Sequence, residues 1–120
     1  MMQDFRQLHV WQKAHRLTLS VYRATRSFPK EELYGLSSQL RRAASGIGAN
    51  IAEGCGRGTD ADFGRFLSMA MGSTSEVENH LLLARDLELL ASADHDALAE
   101  AAIEVKKMLA TLILKLKAES

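Results

Sequence analysis

The sequence is poor in the residues that interrupt or staple a chain. Its 120 residues include one proline, Pro29, and one cysteine, Cys55. A single cysteine excludes an intrachain disulfide and any zinc site built on several sulfurs. Taken with an N-terminus that lacks a signal-peptide pattern, it leads us to expect a protein of the reducing cytoplasm. A lone proline leaves room for long unbroken helices. No uncharged apolar run approaches the roughly 20 residues that span a bilayer. The longest candidate, "MLATLILKLK", carries Lys115 and Lys117, so no membrane partner is expected. No stretch alternates with period two for long enough to suggest a sheet.

What is present suits one globular domain over residues 1–120. Hydrophobic residues make up 47% and charged residues 25%, enough for a core without metals or disulfides. The net charge of zero hides an asymmetry. Residues 1–58 hold nine Lys/Arg against four Asp/Glu, or +5; residues 59–120 hold six against eleven, or −5. Halves of opposite sign attract each other or another copy.

Apolar spacing predicts four helices, over about residues 7–27, 36–55, 61–90 and 97–117. Val10, Ala14, Leu17, Val21, Ala24 and Phe28 form the first seam, with spacings of four and three. Leu36, Leu40, Ala44, Ile47 and Ile51 form the second. Its far side is small: Ser38, Ser45, Gly46, Ala49 and Ala52. Gly46 and Gly48 each cost about 1 kcal/mol inside a helix, so close packing or a kink must accompany them. Gly54, Gly56 and Gly58 end this helix, and Thr59 or Asp60 caps the next. The third seam is Phe63, Leu67, Ala70, Thr74, Val77, Leu81, Ala84 and Leu87. The fourth is Leu98, Ala102, Val105, Leu109, Leu112 and Leu116, with Asp94 or Asp96 as cap. Ile103, Ala110 and Leu114 project roughly 120–160° from Leu98 at 100° per residue, a second apolar stripe that a lone bundle leaves wet. Short connections make successive helices antiparallel, giving an all-α, up-down-up-down four-helix bundle.

The segment "GCGRG" at 54–58 resembles a nucleotide loop only on paper. Such a loop needs a strand before it and an acid about twenty residues on; here a helix precedes it, and no GK[ST] follows. Cys55 stands at the electronegative end of a helix, which disfavours a thiolate. His9, His15, His80 and His95 lack the Glu-x-x-His pairing of bundle metal sites; Glu76 and His80 merely share a face. No catalytic residue, metal or cofactor is expected. Arg41, Arg42 and Arg57 are the most suggestive polar group. Glu53 and Arg57 have i,i+4 spacing, worth about 0.3–0.5 kcal/mol when exposed. The three arginines read either as an ion-pair network that fixes the second helix, or, with Lys13, Arg16 and Arg23, as a surface for nucleic-acid phosphates. Without aromatic interleaving, such binding would be to the backbone, weak and salt-dependent.

Read in order, the residues carry a resemblance. "VWQKA" at 10–14, "VY" at 21–22, "FPKEE" at 28–32 and "YGLSSQLRRAA" at 34–44 are followed by "NIAEG" at 50–54, Arg57, "RFL" at 65–67 and "GS" at 72–73. The set closely resembles the bacterial S23, or 23S rRNA intervening-sequence protein, family over roughly residues 5–90. The resemblance implies a cytosolic four-helix bundle of unassigned biochemical role, assembled as a ring of five; the expectation that it is non-enzymatic is our reading of the residues. The accessory protein of diversity-generating retroelements is similar in fold and ring shape and is thought to bind nucleic acid and a reverse transcriptase. Carried over, that implies Arg41, Arg42 and Arg57 as contacts, with Lys13 and Arg16 behind them. The sequence departs from the family at Gly46-Ile47-Gly48, where "SIP" is usual, and at Met71, where many members are basic.

These readings converge on a homo-oligomeric scaffold or adaptor, most simply a pentamer, with Gly46, Ala49, Glu53, Ile103, Ala110 and Leu114 as interface candidates. The alternative is a nucleic-acid accessory module using the arginines of the first two helices, with or without a protein partner.

Overall fold

The four-and-three spacing of the first seam folds, in the computed structural model, into α1, His9–Thr25. The structure describes residues 4–119. Val10, Ala14, Leu17 and Val21 are buried along α1. The helix is shorter than predicted at both ends. A 3-10 turn, Phe5–Gln7, precedes it, closed by the Asp4 carboxylate on the Arg6 backbone amide at 3.0 Å. At the other end the chain turns at Arg26 toward buried Phe28. A second 3-10 segment, Lys30–Glu32, follows Pro29.

The second helix, α2, spans Leu36–Cys55, as its pattern predicts. Gly35 before it has no capping side chain; Glu32 reaches forward instead, and its Oε1 accepts from the Leu36 amide at 3.2 Å. The mid-helix glycines sit in close packing within an unbroken helix. A Cβ on Gly46 would lie 3.3 Å from Ser73 Oγ, and one on Gly48 3.2 Å from Trp11 Nε1. Thr18 crosses at the same level, its hydroxyl 2.9 Å from the Ala44 carbonyl.

The third helix, α3, runs Asp60–Asp86. Thr59 caps it as expected, accepting from the Asp62 amide at 3.1 Å. Its seam from Phe63 to Ala84 is buried. The end is a correction: α3 stops four residues short of 90, and Leu87 is 53% exposed instead of core. The Leu89 amide bonds the Ala84 carbonyl and the Glu88 amide bonds the Arg85 carbonyl, each at 2.9 Å, with Glu88 at φ 62°. That is a Schellman closure with glutamate in the left-handed position where glycine is usual.

The fourth helix, α4, spans Ser92–Glu119, starting five residues before the predicted 97. Asp94 and Asp96 therefore lie inside its first turns and cap nothing; acids there suit the positive helix end. His95 between them is buried, so this polar-looking stretch has an inward side. Leu112 and Leu116 are half-buried, not core. At 1.5 Å per residue α4 is about 42 Å long, close to the 46 Å long axis of the molecule, whereas α1 is eleven residues shorter.

Each helix packs on the next in sequence, and α4 closes the circuit on α1. The result is a four-helix bundle without a strand among the described residues. The α2–α3 contact is the most extensive. Gly54 explains how near the two come: a Cβ there would be 2.9 Å from both Phe63 Cδ1 and Phe66 Cβ.

Candidate functional site

The six cations singled out by the sequence do not form one cluster. Arg41 sits near the start of α2, its Nε donating to Thr25 Oγ1 at 2.8 Å and its guanidinium over the Tyr22 ring at 5.0 Å. Arg57 follows the other end of α2, a helix about 30 Å long. There it pairs with Glu53 at 3.2 Å and lies over the Phe66 ring at 4.7 Å; Arg65 lies over the same ring at 4.6 Å. Lys13 bridges α1 to α4 through Glu104 at 2.6 Å. These three are engaged within the chain. The expected ion-pair network around α2 is thus a correction: among the described residues only Arg57 of its three arginines has an acid partner. Arg41 uses a hydroxyl and a ring instead, because Thr25 and Tyr22 face it from α1.

Arg16, Arg23 and Arg42 are exposed and have no acid partner among the described residues. Arg26, which sequence reasoning did not single out, joins them just beyond α1. The helix α1 contains no acid at all, and Glu53 is the only one in α2. The predicted charge division thus becomes a basic α1–α2 layer against an α3 that carries Asp60, Asp62, Glu76, Glu78 and Asp86. Arg23 also borders a cleft of about 670 Å³ between α1 and the start of α4, with Ser20, Ser27 and Asp94.

The apolar candidates divide differently. Ile103 is 44% and Leu114 66% exposed, with Ala110 half-buried between them. Leu82, Leu83 and Leu87 of the α3 end are exposed as well; the sequence hides these because an apolar run shows no outward side until packing decides it. On α2, Ala49 faces solvent and Glu53 is exposed beside Arg57. Gly46 is instead taken up by Ser73 of its own chain. A stacked pair also went unforeseen: the Trp11 and His15 rings lie 4.7 Å apart at 13°.

Cys55 is buried, and burial, reinforced by the Asp4 carboxylate, raises its thiol above the ordinary range. A group in that state is a poor nucleophile. His80 pairs with the Glu76 carboxylate at 3.5 Å. Among the described residues no three His, Cys, Asp or Glu side chains are grouped to hold a metal. No helix there is long and apolar enough to cross a membrane.

No curated protein matches the chain. Among solved structures it is similar to a protein of unknown function from the S23 ribosomal protein family of Bacteroides thetaiotaomicron. The TM-score is 0.78 at 24% identity, covering 87% of this chain and 97% of the other. At that identity the likeness speaks for the fold alone. The family model described as 23S rRNA-intervening sequence protein matches residues 6–111. Bundle architecture and family match therefore agree, and the chain belongs to the 23S rRNA-intervening sequence protein family.

Proposed function

We propose that the protein is a non-enzymatic scaffold or adaptor that works as a homo-oligomer in the cytoplasm, a closed ring of five being the form its family resemblance implies. The observation that carries this reading is the outward stripe of Ile103, Ala110 and Leu114 on α4, with Leu82 of α3 exposed as well. Exposed apolar surface of this kind marks an interaction site. Covering the exposed part of each large side chain in it contributes on the order of 1 kcal/mol. The division into a basic α1–α2 layer and an acidic α3 adds complementary faces for a head-to-tail contact, which closes into a ring when the rotation permits. Ala49 and Glu53 are exposed on α2 and free to join such a contact, whereas Gly46 packs on Ser73 of its own chain.

Multi-angle light scattering of the purified chain tests the proposal. A mass several times that of one chain, reduced to the monomer by I103D/L114D with helicity retained, is expected. A monomeric wild type at micromolar concentration refutes it. A second reading, nucleic-acid binding, is favoured by one specific observation: the exposed, acid-free Arg16, Arg23, Arg26 and Arg42. Its test is a titration with generic single- and double-stranded RNA at two salt concentrations. Binding that weakens steeply with salt supports it; none at low salt ends it.

A further inference from the structure

An open groove of about 360 Å³ runs between the start of α1 and the second half of α4. Its floor is apolar, made by Leu8 and Val10 from the α1 side and Met108 and Leu112 from α4. Its lining holds two lysines, Lys107 and Lys115, and no acid. Both lysines are exposed, and neither ammonium has an acid partner among the described residues. The Glu104 carboxylate on the same helix is occupied by Lys13. The surface thus offers apolar area and uncompensated positive charge together.

The geometry selects the shape of the occupant. The groove lies between two antiparallel helices, so an elongated guest lies along it. Lys107 and Lys115 are eight residues apart, about 12 Å or two helical turns. A docked helix presents a matching repeat: apolar residues at i, i+3 and i+4 for the floor, and acids about seven residues apart for the lysines. Met108 in the floor adapts to a range of side chains, as methionine does at helix-binding surfaces. We propose that this groove docks an acidic amphipathic helix from a protein partner. The floor of the groove and Lys115 are separate from the proposed subunit contact: at 100° per residue, Met108, Leu112 and Lys115 lie roughly 120–180° round α4 from the centre of the Ile103–Leu114 stripe, and Lys107 lies between the two surfaces.

The test uses the full chain and a fluorescein-labelled synthetic amphipathic helix, with leucines on one face and two glutamates flanking them seven residues apart. Control peptides carry glutamine or lysine in place of glutamate, and binding is followed by anisotropy. The glutamate peptide is expected to bind about three- to tenfold more tightly than the glutamine peptide, and less tightly as salt rises. K107E/K115E should reverse the order, favouring the lysine peptide. The two lysines are exposed, and circular dichroism checks that the variant keeps its helices. Equal binding of glutamate and glutamine peptides, no saturable binding, or binding unchanged in the variant would each overturn the proposal. So would dissociation of a wild-type oligomer by K115E alone in light scattering, since the groove would then be covered by another copy.

Discussion

Replacing Gly54 with alanine tests whether the α2–α3 approach is as tight as the geometry says. The new Cβ would lie 2.9 Å from Phe63 Cδ1 and from Phe66 Cβ, against an optimum of about 3.5–4.0 Å between carbons. Neither neighbour yields easily. Both phenylalanines are buried, and the Phe66 ring is flanked by Arg57 and Arg65. Phe66 Cβ, moreover, moves only with the α3 backbone. Relief must come from separating two helices, an overpacking cost of about 1–3 kcal/mol. Alanine returns about 1 kcal/mol of helix propensity, leaving a net loss of about 1 kcal/mol and at most about 2. Gly72 is the internal control, because nothing lies within 4 Å of a Cβ there. The same substitution at that site gains propensity alone, about 0.5–1 kcal/mol. Urea unfolding followed by the single tryptophan, Trp11, at one low protein concentration compares the two variants directly. A G54A midpoint at or above wild type, with G72A showing no rise, would refute the reasoning.

Glu88→Gly should raise stability by about 0.5–1 kcal/mol, since glycine accepts φ 62° without the side-chain penalty; an unchanged or lower urea midpoint would count against the strain. Cys55 should react slowly with a thiol reagent at mildly alkaline pH and rapidly once denaturant is added. Because its folded pKa is raised, the fold favours the protonated thiol, and stability should fall as pH climbs past the ordinary thiol range. C55A should abolish that fall, and a fast reaction of the folded chain would contradict the burial. Arg57→Ala should cost about 1 kcal/mol, through the Phe66 face more than the exposed Glu53 pair. Glu53→Gln should then cost less than half as much, and equal losses would reassign the energy to the ion pair.

The core was legible because apolar periodicity registers the side of a helix that faces its neighbours. Leu17, Ile47, Leu67, Val105 and their companions could be placed from spacing alone. The α3–α4 boundary was not, for a local reason. Helix ends are read from glycine, and here glutamate occupies the left-handed turn while buried His95 lies in a stretch that looks like a polar connection. The surfaces were harder still. Arg41 and Arg57 are anchored by Thr25, Tyr22 and Phe66, partners distant in sequence or on another helix, which no charge count reveals. Lys107 and Lys115 do not stand out as a site in the sequence, because their significance there comes from Leu8 and Val10, about a hundred residues earlier. By contrast, Ile103 and Leu114 stood out as outward residues because one helix can be drawn without its neighbours.

The absence of acids from α1 bears on the order in which the molecule assembles. Lys13, Arg16 and Arg23 have no carboxylate within their own helix to offset their mutual repulsion, and a helix of 17 residues is marginal by itself. The hairpin of α2 and α3, with its larger shared surface and sequence-local contacts, is the better nucleus. The α1 segment is thus expected to become helical late, held open until α2 and α4 offer it a surface. The arginine-rich exterior is consequently a property of the finished bundle alone.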